Sequence, residues 1–295
     1  MKYQYSLIQA DRDLFARYQT IYSGADTNLQ INWEYRLRDT TWTEDCFWIL
    51  KDGSRMGGTL VINNTIQFPF LIPPYHNRHE LWDALRIISN REQLNITKVH
   101  GVLDDDVSIL LSYGYAIDSS RRCMCRPSDI FTMSLNDKFI WRIPDLTQDI
   151  SKMIDVLEVG YENSIDYQTF GRPEAGEVEK DVRYFLDGYK KTDTIQHSTI
   201  VIHKESNCMV GLCLAGGHPE SSCPLYSFIA DLVVLPQFRG QGLADFMLRR
   251  AVTEAVNSYP LSGLCVTVGN PAESLYHKLG FWGGPRFTNM SRKFT

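Results

Sequence analysis

The 295-residue sequence contains no apolar run approaching the roughly 18 residues that cross a bilayer, which excludes a membrane-spanning helix. It has no surplus of positive charge. Its 30 Lys and Arg stand against 35 Asp and Glu, a net charge of −5, which argues against a surface built to grip nucleic acid or an acidic membrane. The opening "MKYQYSLIQADRD" has no apolar core of the kind a signal peptide carries, so a cytoplasmic protein is expected. Cysteine is sparse, odd in number at 7 and scattered, and Cys46, Cys213 and Cys265 fall in apolar runs. That pattern excludes a disulfide framework and suggests reduced thiols acting as small hydrophobes. No metal site is expected either. Cys123 and Cys125 with His76 and His79 match no common zinc spacing. What remains is ordinary globular material, 43% hydrophobic and 22% charged, long enough for one large domain or two smaller ones.

The chain reads as doubled. Setting "IPPYHNRHELWDAL" (72–85) under "LPQFRGQGLADFML" (235–248) aligns Pro73 with Pro236, Tyr75 with Phe238 and Leu85 with Leu248. Farther on, "SILLSYGYA" lies over "SLYHKLGFW", so that Ser108 meets Ser274, Gly114 meets Gly280 and Tyr115 meets Phe281. Proline and glycine are 41 residues apart in the first half and 44 in the second, so two landmarks recur at nearly equal separation. The expected domains are 1–126 and 139–295, joined by a linker over 127–138.

The elements match too. In the second half "KFIWRI" reads as a strand, and Asp145 is placed to cap a helix running to about Glu162, with Ile150, Met153, Ile154 and Leu157 on one face. "EVEKDVRYFLDGY" suggests another helix. "STIVIHKESNCMVGLCLAG" is a hairpin turning at Lys204–Asn207, and "YSFIADLVVL" is a strand. Residues 240–257 form a helix with Leu243, Met247, Ala251 and Ala255 on its apolar side. "GLCVTVG", "PAESLYHKL" and "FTNMSRKF" follow as strand, helix and strand. The first half repeats the order more loosely, with a hairpin turning at Asp52-Gly53 and a late strand in "TKVHGVL". The fold class is therefore α/β (α+β), each copy holding a mixed, largely antiparallel sheet flanked by helices.

"VVLPQFRGQGLADFMLRRAV" (233–252) carries the chemistry. Gly240 and Gly242 sit where a strand becomes a helix. The first turn of a helix has free N–H groups and partial positive charge, and it suits phosphate when no side chain blocks the approach. Arg239 adds a cation there. No Gly-Lys-Ser/Thr follows, so this is not a P-loop, and Asp245 replaces the third glycine of a dinucleotide fingerprint.

"QFRGQGLA" resembles the Q/R-x-x-G-x-G/A signature of the GNAT superfamily of N-acetyltransferases, and "NPAESLYHKLGF" (270–281) resembles its second signature, an Asn after a strand followed by A-x-x-L-Y-x-x-x-G-F. The resemblance covers 139–295 well and 1–126 weakly. It implies acetyl-CoA or another acyl-CoA as donor. It implies a strand ending at Val234 that splays from "GLCVTVG", so that main-chain groups of Leu232, Val233 and Val234 bond the pantetheine and acetyl groups. The N–H groups of Arg239, Gly240, Gln241, Gly242, Leu243 and Ala244 would hold the diphosphate, and Asn270 would touch the pantetheine arm. Tyr276 would lie near the sulfur as general acid, while an amine attacks the thioester directly. The implied activity is N-acyl transfer, most simply acetyl transfer, to an amine on a small molecule, protein or peptide. The alternative is a non-catalytic acyl-CoA-binding or regulatory protein; aminoacyl transfer from charged tRNA is disfavoured by the acidic charge.

In the first copy Asn77 and His79 replace the two glycines and Leu110 replaces Tyr276, so that copy is expected to keep the fold and bind no CoA. Bland readings stand beside these. Gly240 and Gly242 also suit a plain helix start, Tyr276 a core tyrosine, and Asn270 a cap. Asp231 is the candidate base, its alternative a charge on the solvent face of the strand. His218 and Glu220 are acceptor-mouth or plain loop residues. "SRRCMCR" reads as a polar sheet edge, and Trp33, Tyr35, Trp42, Phe47 and Trp48 as core aromatics.

Overall fold

The computed structural model describes residues 4–23, 45–217 and 226–292. It divides into two compact units, one of residues 1–123 with 284–295, the other of residues 124–283.

In the first unit β1 (Tyr5–Gln9) leads into α1 (Arg12–Tyr22), whose Leu14 N–H is capped by Asp11 Oδ1 at 2.9 Å. Strands β2 (Cys46–Lys51), β3 (Ser54–Ile62) and β4 (Thr65–Leu71) form a meander. Its tight turns, Asp52-Gly53 and Asn63-Asn64, all have positive φ, as two-residue hairpin turns demand. Then come α2 (Arg78–Arg91), β5 (Lys98–Val102), α3 (Asp104–Ser112) and β6 (Tyr115–Pro127). Within this unit the strand order is β1-β2-β3-β4-β5-β13-β6, where β13 is Phe287–Arg292; only β4 and β5 run parallel. Leu81, Trp82, Leu85 and Ile88 bury one side of α2 on Ile49 and Val99. Phe15, Trp48 and Phe70 fill a second cluster. Trp48 is thus a core aromatic, while Trp33, Tyr35 and Trp42 lie outside the described residues.

The second unit contains β7 (Phe139–Arg142), α4 (Ile150–Tyr161), α5 (Ile165–Phe170), α6 (Glu177–Lys191), β8 (Thr199–His203), β9 (Cys208–Gly217) and β10 (Tyr226–Val234). It continues with α7 (Leu243–Ala255), β11 (Leu261–Thr267), α8 (Glu273–Lys278) and the short β12 (Trp282–Gly283). The order β11-β10-β9-β8-β7 is antiparallel except at β10–β11. Strand β9 is buried on both faces, which explains its unbroken apolar run. Met153, Leu157, Val182 and Leu186 from α4 and α6 cover one side of the sheet, and Met247, Leu248 and Val252 from α7 cover the other.

Several expectations are corrected. Strand β13 pairs with β5 and β6, so residues 284–295 belong to the first unit although the sequence assigns them to the second copy. Within "SRRCMCR", expected as a polar sheet edge, Ser120 and Arg121 pair with β13, and Met124 and Cys125 pair with β12. Residues 127–138, expected as the linker, lie against the second unit's core. Phe131, Met133 and Leu135 pack on the second unit's core, and the Phe131 N–H donates to Thr253 Oγ1 at 3.0 Å. Asp145 closes a turn through the N–H groups of Thr147 and Gln148, and α4 begins only after Asp149. Helix α5 is an element that the sequence reading passed over. No helix of the described residues is long and apolar enough to cross a membrane.

His197 is fully buried in the second unit, with Nδ1 and Ser227 Oγ sharing a 3.0 Å hydrogen bond. Burial, then the nearby Arg250 charge, lowers its pKa to about 4. The unfolded chain takes up this proton near pH 6.5 and the folded one only near 4, so stability is lost as pH falls across that window. His197→Gln should therefore retain roughly 3 kcal/mol more of its neutral-pH stability than wild type on titration from pH 6.5 to 4. Urea melts across that range test this, and parallel loss in both proteins would contradict it.

Candidate functional site

Strand β10 pairs in parallel with β11 only from Tyr226↔Leu261 to Ile229↔Leu264. Beyond that point β10 runs on to Val234 and β11 to Thr267 without pairing to each other. A bulge in β10 at Ala230, between Ile229 and Asp231, coincides with the separation. Bulges bend a strand and re-aim its groups. On its other side β10 stays paired with β9 from Asp231↔Leu214 to Val234↔Gly211. The Leu235 N–H donates to Val210 O at 2.9 Å. Main-chain direction alternates along a strand, so Val233 and Asp231 also face β9, and the N–H groups of Leu232 and Val234 face the opening.

Past Val234 a 3₁₀ turn (Pro236–Phe238) leads to Gly240 and Gly242, with φ of +75° and +79°. Both conformations favour glycine, and a Cβ built at either position meets nothing within 4 Å. The N–H groups of Gly240, Gln241, Gly242, Leu243, Ala244 and Asp245 donate to no group among the described residues. They form an open nest of donors at the mouth of α7. Asp245, in the first turn, is ion-paired with Arg249 at 2.5 Å and Lys278 at 3.5 Å, which offsets the one carboxylate placed to oppose an anion there. The residues present fit the diphosphate of a nucleotide-like donor.

Arg239 departs from its expected place. Its Nε donates to Val234 O at 3.0 Å and its Nη2 to Gly160 O at 2.7 Å, so the guanidinium is turned back onto the fold. Its N–H donates to Pro236 O at 3.2 Å, and the run of free donors starts one residue later, at Gly240.

Asp231 is not on a solvent face. It is half-buried beneath α4 and accepts a 2.9 Å hydrogen bond at Oδ1 from the Tyr161 hydroxyl; Oδ2 has no hydrogen-bond partner among the described residues. Burial raises its pKa to about 6, against the lowering effect of the Tyr161 bond and with further raising by Asp181 and Asp166. Tyr276, on α8, is largely buried against Phe281, and its hydroxyl makes no hydrogen bond among the described residues. Burial pushes its pKa well up, helped by Cys213, Asp166 and Asp231. Asn270 is half-buried. Its Oδ1 accepts from the Ala272 N–H at 2.9 Å and its Nδ2 donates to Asp166 Oδ2 at 3.2 Å, so it acts as a local cap. Thr267 Oγ1 donates to the other oxygen of Asp166 at 2.6 Å.

Tyr161, Asp166 and Thr267 are the polar groups that the sequence reading missed. Their partners lie 70 to 104 residues away, a separation that leaves no local pattern. His218 and Glu220 lie outside the described residues. Among the described residues no group of three or more His, Cys, Asp or Glu is placed to hold a metal ion.

The first unit differs at the positions that the sequence aligns with these. Strand β4 pairs with β5 only from Thr65 to Gln67. Phe68 then packs on Gly101, where a Cβ would lie 2.0 Å from the ring. Asn77 caps α2 with Oδ1 on the Glu80 N–H at 3.2 Å, and Leu110, which the sequence aligns with Tyr276, is buried.

Residues 165–281 match the profile of the Acetyltransferase (GNAT) family. Comparison with curated protein sequences finds no match. Among solved structures, the chain is similar to a GCN5-related N-acetyltransferase from Sphaerobacter thermophilus, at a TM-score of 0.68 and 15% identity over 97% of this chain and 94% of the other. It is similar to a GNAT-family acetyltransferase from Colwellia psychrerythraea, at 0.57 and 12% over 98% and 100%. It is also similar to a tandem GNAT protein from the clavulanic acid biosynthesis pathway, at 0.54 and 12% over 99% and 100%. The second unit of the chain carries a domain of the acetyltransferase (GNAT) family. Over nearly its whole length the chain is similar in fold to these GNAT structures, one of them a tandem GNAT protein.

Gly160, at the end of α4, lies so close to β10 that an added Cβ would sit 2.1 Å from Val233 Cγ1. Gly160→Ala should destabilise the protein by about 1–3 kcal/mol despite the better helix propensity of alanine. Calorimetry should show a lower Tm, and an unchanged or raised Tm would contradict this packing.

Proposed function

We propose that the second unit is an acyl-CoA-dependent N-acyltransferase whose simplest reaction is acetyl transfer to an amine. The observation that carries the reading is the row of uncommitted N–H groups from Gly240 to Asp245, beside a strand edge opened at Ile229. A diphosphate supplies acceptors for the first set, and an extended pantetheine arm supplies partners for Leu232 and Val234. Acetyl-CoA, when bound, supplies the activated acyl group.

The residues have complementary proton roles. Asp231, with a pKa of about 6, is ionised at neutral pH, and its Oδ2 is free to take a proton from the acceptor amine. Tyr276 keeps its proton at Oη throughout the neutral range, as a donor to a departing thiolate must. Strand N–H groups at the opening favour developing negative charge on an acyl oxygen. Acceptor amines on small molecules and on peptides are both compatible with this chemistry. The first unit, with Phe68 in its opening and Asn77 on its helix mouth, binds no CoA and serves as scaffold in this reading.

Titration calorimetry should show 1:1 binding of CoA, weakened at least about tenfold by Gly242→Val, which loses the positive φ. In a panel of amines, acetyl-CoA-dependent thiol release should fall about 10²–10⁴-fold in Tyr276→Phe. Normal release in that variant removes the acid role. CoA binding without release for any amine favours the non-catalytic reading. The rate should decline below pH 6, where Asp231 takes up its proton, and Asp231→Asn should abolish that limb along with most of the activity. An acid limb that survives the substitution belongs to another group.

A further inference from the structure

The sequence marks Arg239 as a phosphate ligand, yet its side chain is spent elsewhere. Its Nη2 reaches Gly160 O at 2.7 Å and its Nε reaches Val234 O at 3.0 Å. Gly160 is the penultimate residue of α4, where helix carbonyls lack intrahelical donors, and a cation is well suited to that end. The neighbouring Tyr161 carbonyl is satisfied separately by the Ser164 N–H at 2.8 Å. The absence of a side chain at Gly160 lets the helix end rest directly on Val233. Tyr161, one residue on, places its hydroxyl on Asp231 at 2.9 Å. Two adjacent residues of α4 are thereby fixed to three positions of β10: 231, 233 and 234. The guanidinium is the cation of that joint, and the Asp231 carboxylate lies at its other end.

We propose that Arg239 is a positioning residue: it latches the end of α4 to the open end of β10 and so holds the Tyr161 hydroxyl on Asp231. The catalytic meaning of the latch rests on the reading of Asp231 as base, but the latch itself is measurable without turnover. Because Arg239 stands immediately before the free amides at 240–245, the same loop that would seat a diphosphate also fixes the geometry of the candidate base.

Asp231 is faced by Tyr161 from α4, by Asp166 and Tyr167 from α5, and by Asp181 and Tyr189 from α6. Cys213 on β9 and Tyr276 on α8 complete its surroundings. Replacing Arg239 leaves all of these in the chain, and Arg239→Lys also keeps the positive charge, so a change in Asp231 titration in the Lys variant reports the Tyr161 bond. That bond lowers the Asp231 pKa, and its loss must raise the midpoint.

The test is carboxyl NMR of protein labelled with ¹³C-aspartate, with the Asp231 resonance assigned by its disappearance in Asp231→Asn. Wild type should titrate at about pH 6. Tyr161→Phe should move the midpoint upward by about half a unit or more, Arg239→Met should move it in the same direction, and Arg239→Lys, which still reaches a carbonyl, should move it less. Should Arg239→Met fail to fold, the Lys variant alone must still show an upward shift. An unchanged midpoint in the folded Arg239 variants, or in Tyr161→Phe, overturns the latch. Calorimetry with CoA provides the second arm. Arg239→Met should keep CoA affinity within about threefold of wild type. A loss of tenfold or more with no midpoint shift makes Arg239 a phosphate ligand and overturns the proposal. Failure of wild type to bind CoA refutes the acyltransferase reading, while the midpoint shifts still decide the latch.

Discussion

The parting of β10 from β11 after Ile229 is the constraint on which the rest of the second unit depends. A sheet normally consumes its main-chain donors and acceptors in pairs, and leaving them unpaired costs free energy unless solvent or a ligand replaces the missing partner. Here the parting is maintained by a bulge at Ala230 and by helix α4 seated on the far end of β10. The opening lies next to a helix mouth whose donors are equally unclaimed. Two separate elements thus leave hydrogen-bonding capacity unused in one region.

The two copies show what the shared fold requires and what it leaves free. Both contain the meander, the parallel return strand and the helices around it, and in both the parallel pairing ends early. The first copy packs Phe68 on Gly101 and caps its second helix with Asn77. The second leaves the gap open and places glycines where φ is positive. One architecture therefore carries different side chains at matching positions of its two units, and topology alone does not assign their chemistry.

Much of this was legible in the sequence because it rests on local pattern. The glycine pair, the strand before it and the amphipathic helix after it are all set by neighbours within a few residues, as are the hairpin turns at Asp52-Gly53 and Lys204–Asn207. What could not be read depends on distant pairing. The strand Phe287–Arg292 carries no local mark of joining the first unit, since its partners are near residues 98–102 and 115–121. Asp231 stood out as a candidate base with a surface charge as the alternative, because nothing nearby in sequence announces its partner Tyr161. Arg239 was misplaced for the same reason, since proximity to the glycines suggested phosphate while Gly160 O, far away in the chain, was the nearer acceptor.

The most direct measurement is an amide NMR titration of the ¹⁵N-labelled protein with CoA. The account predicts that the resonances of Gly240, Gln241, Gly242 and Leu243 shift most, followed by Leu232 and Val234, while Glu80 and Leu81 at the matching helix of the first unit stay in place. Unperturbed signals from Gly240 to Leu243 at saturating CoA, or the largest shifts in the first unit, would contradict it.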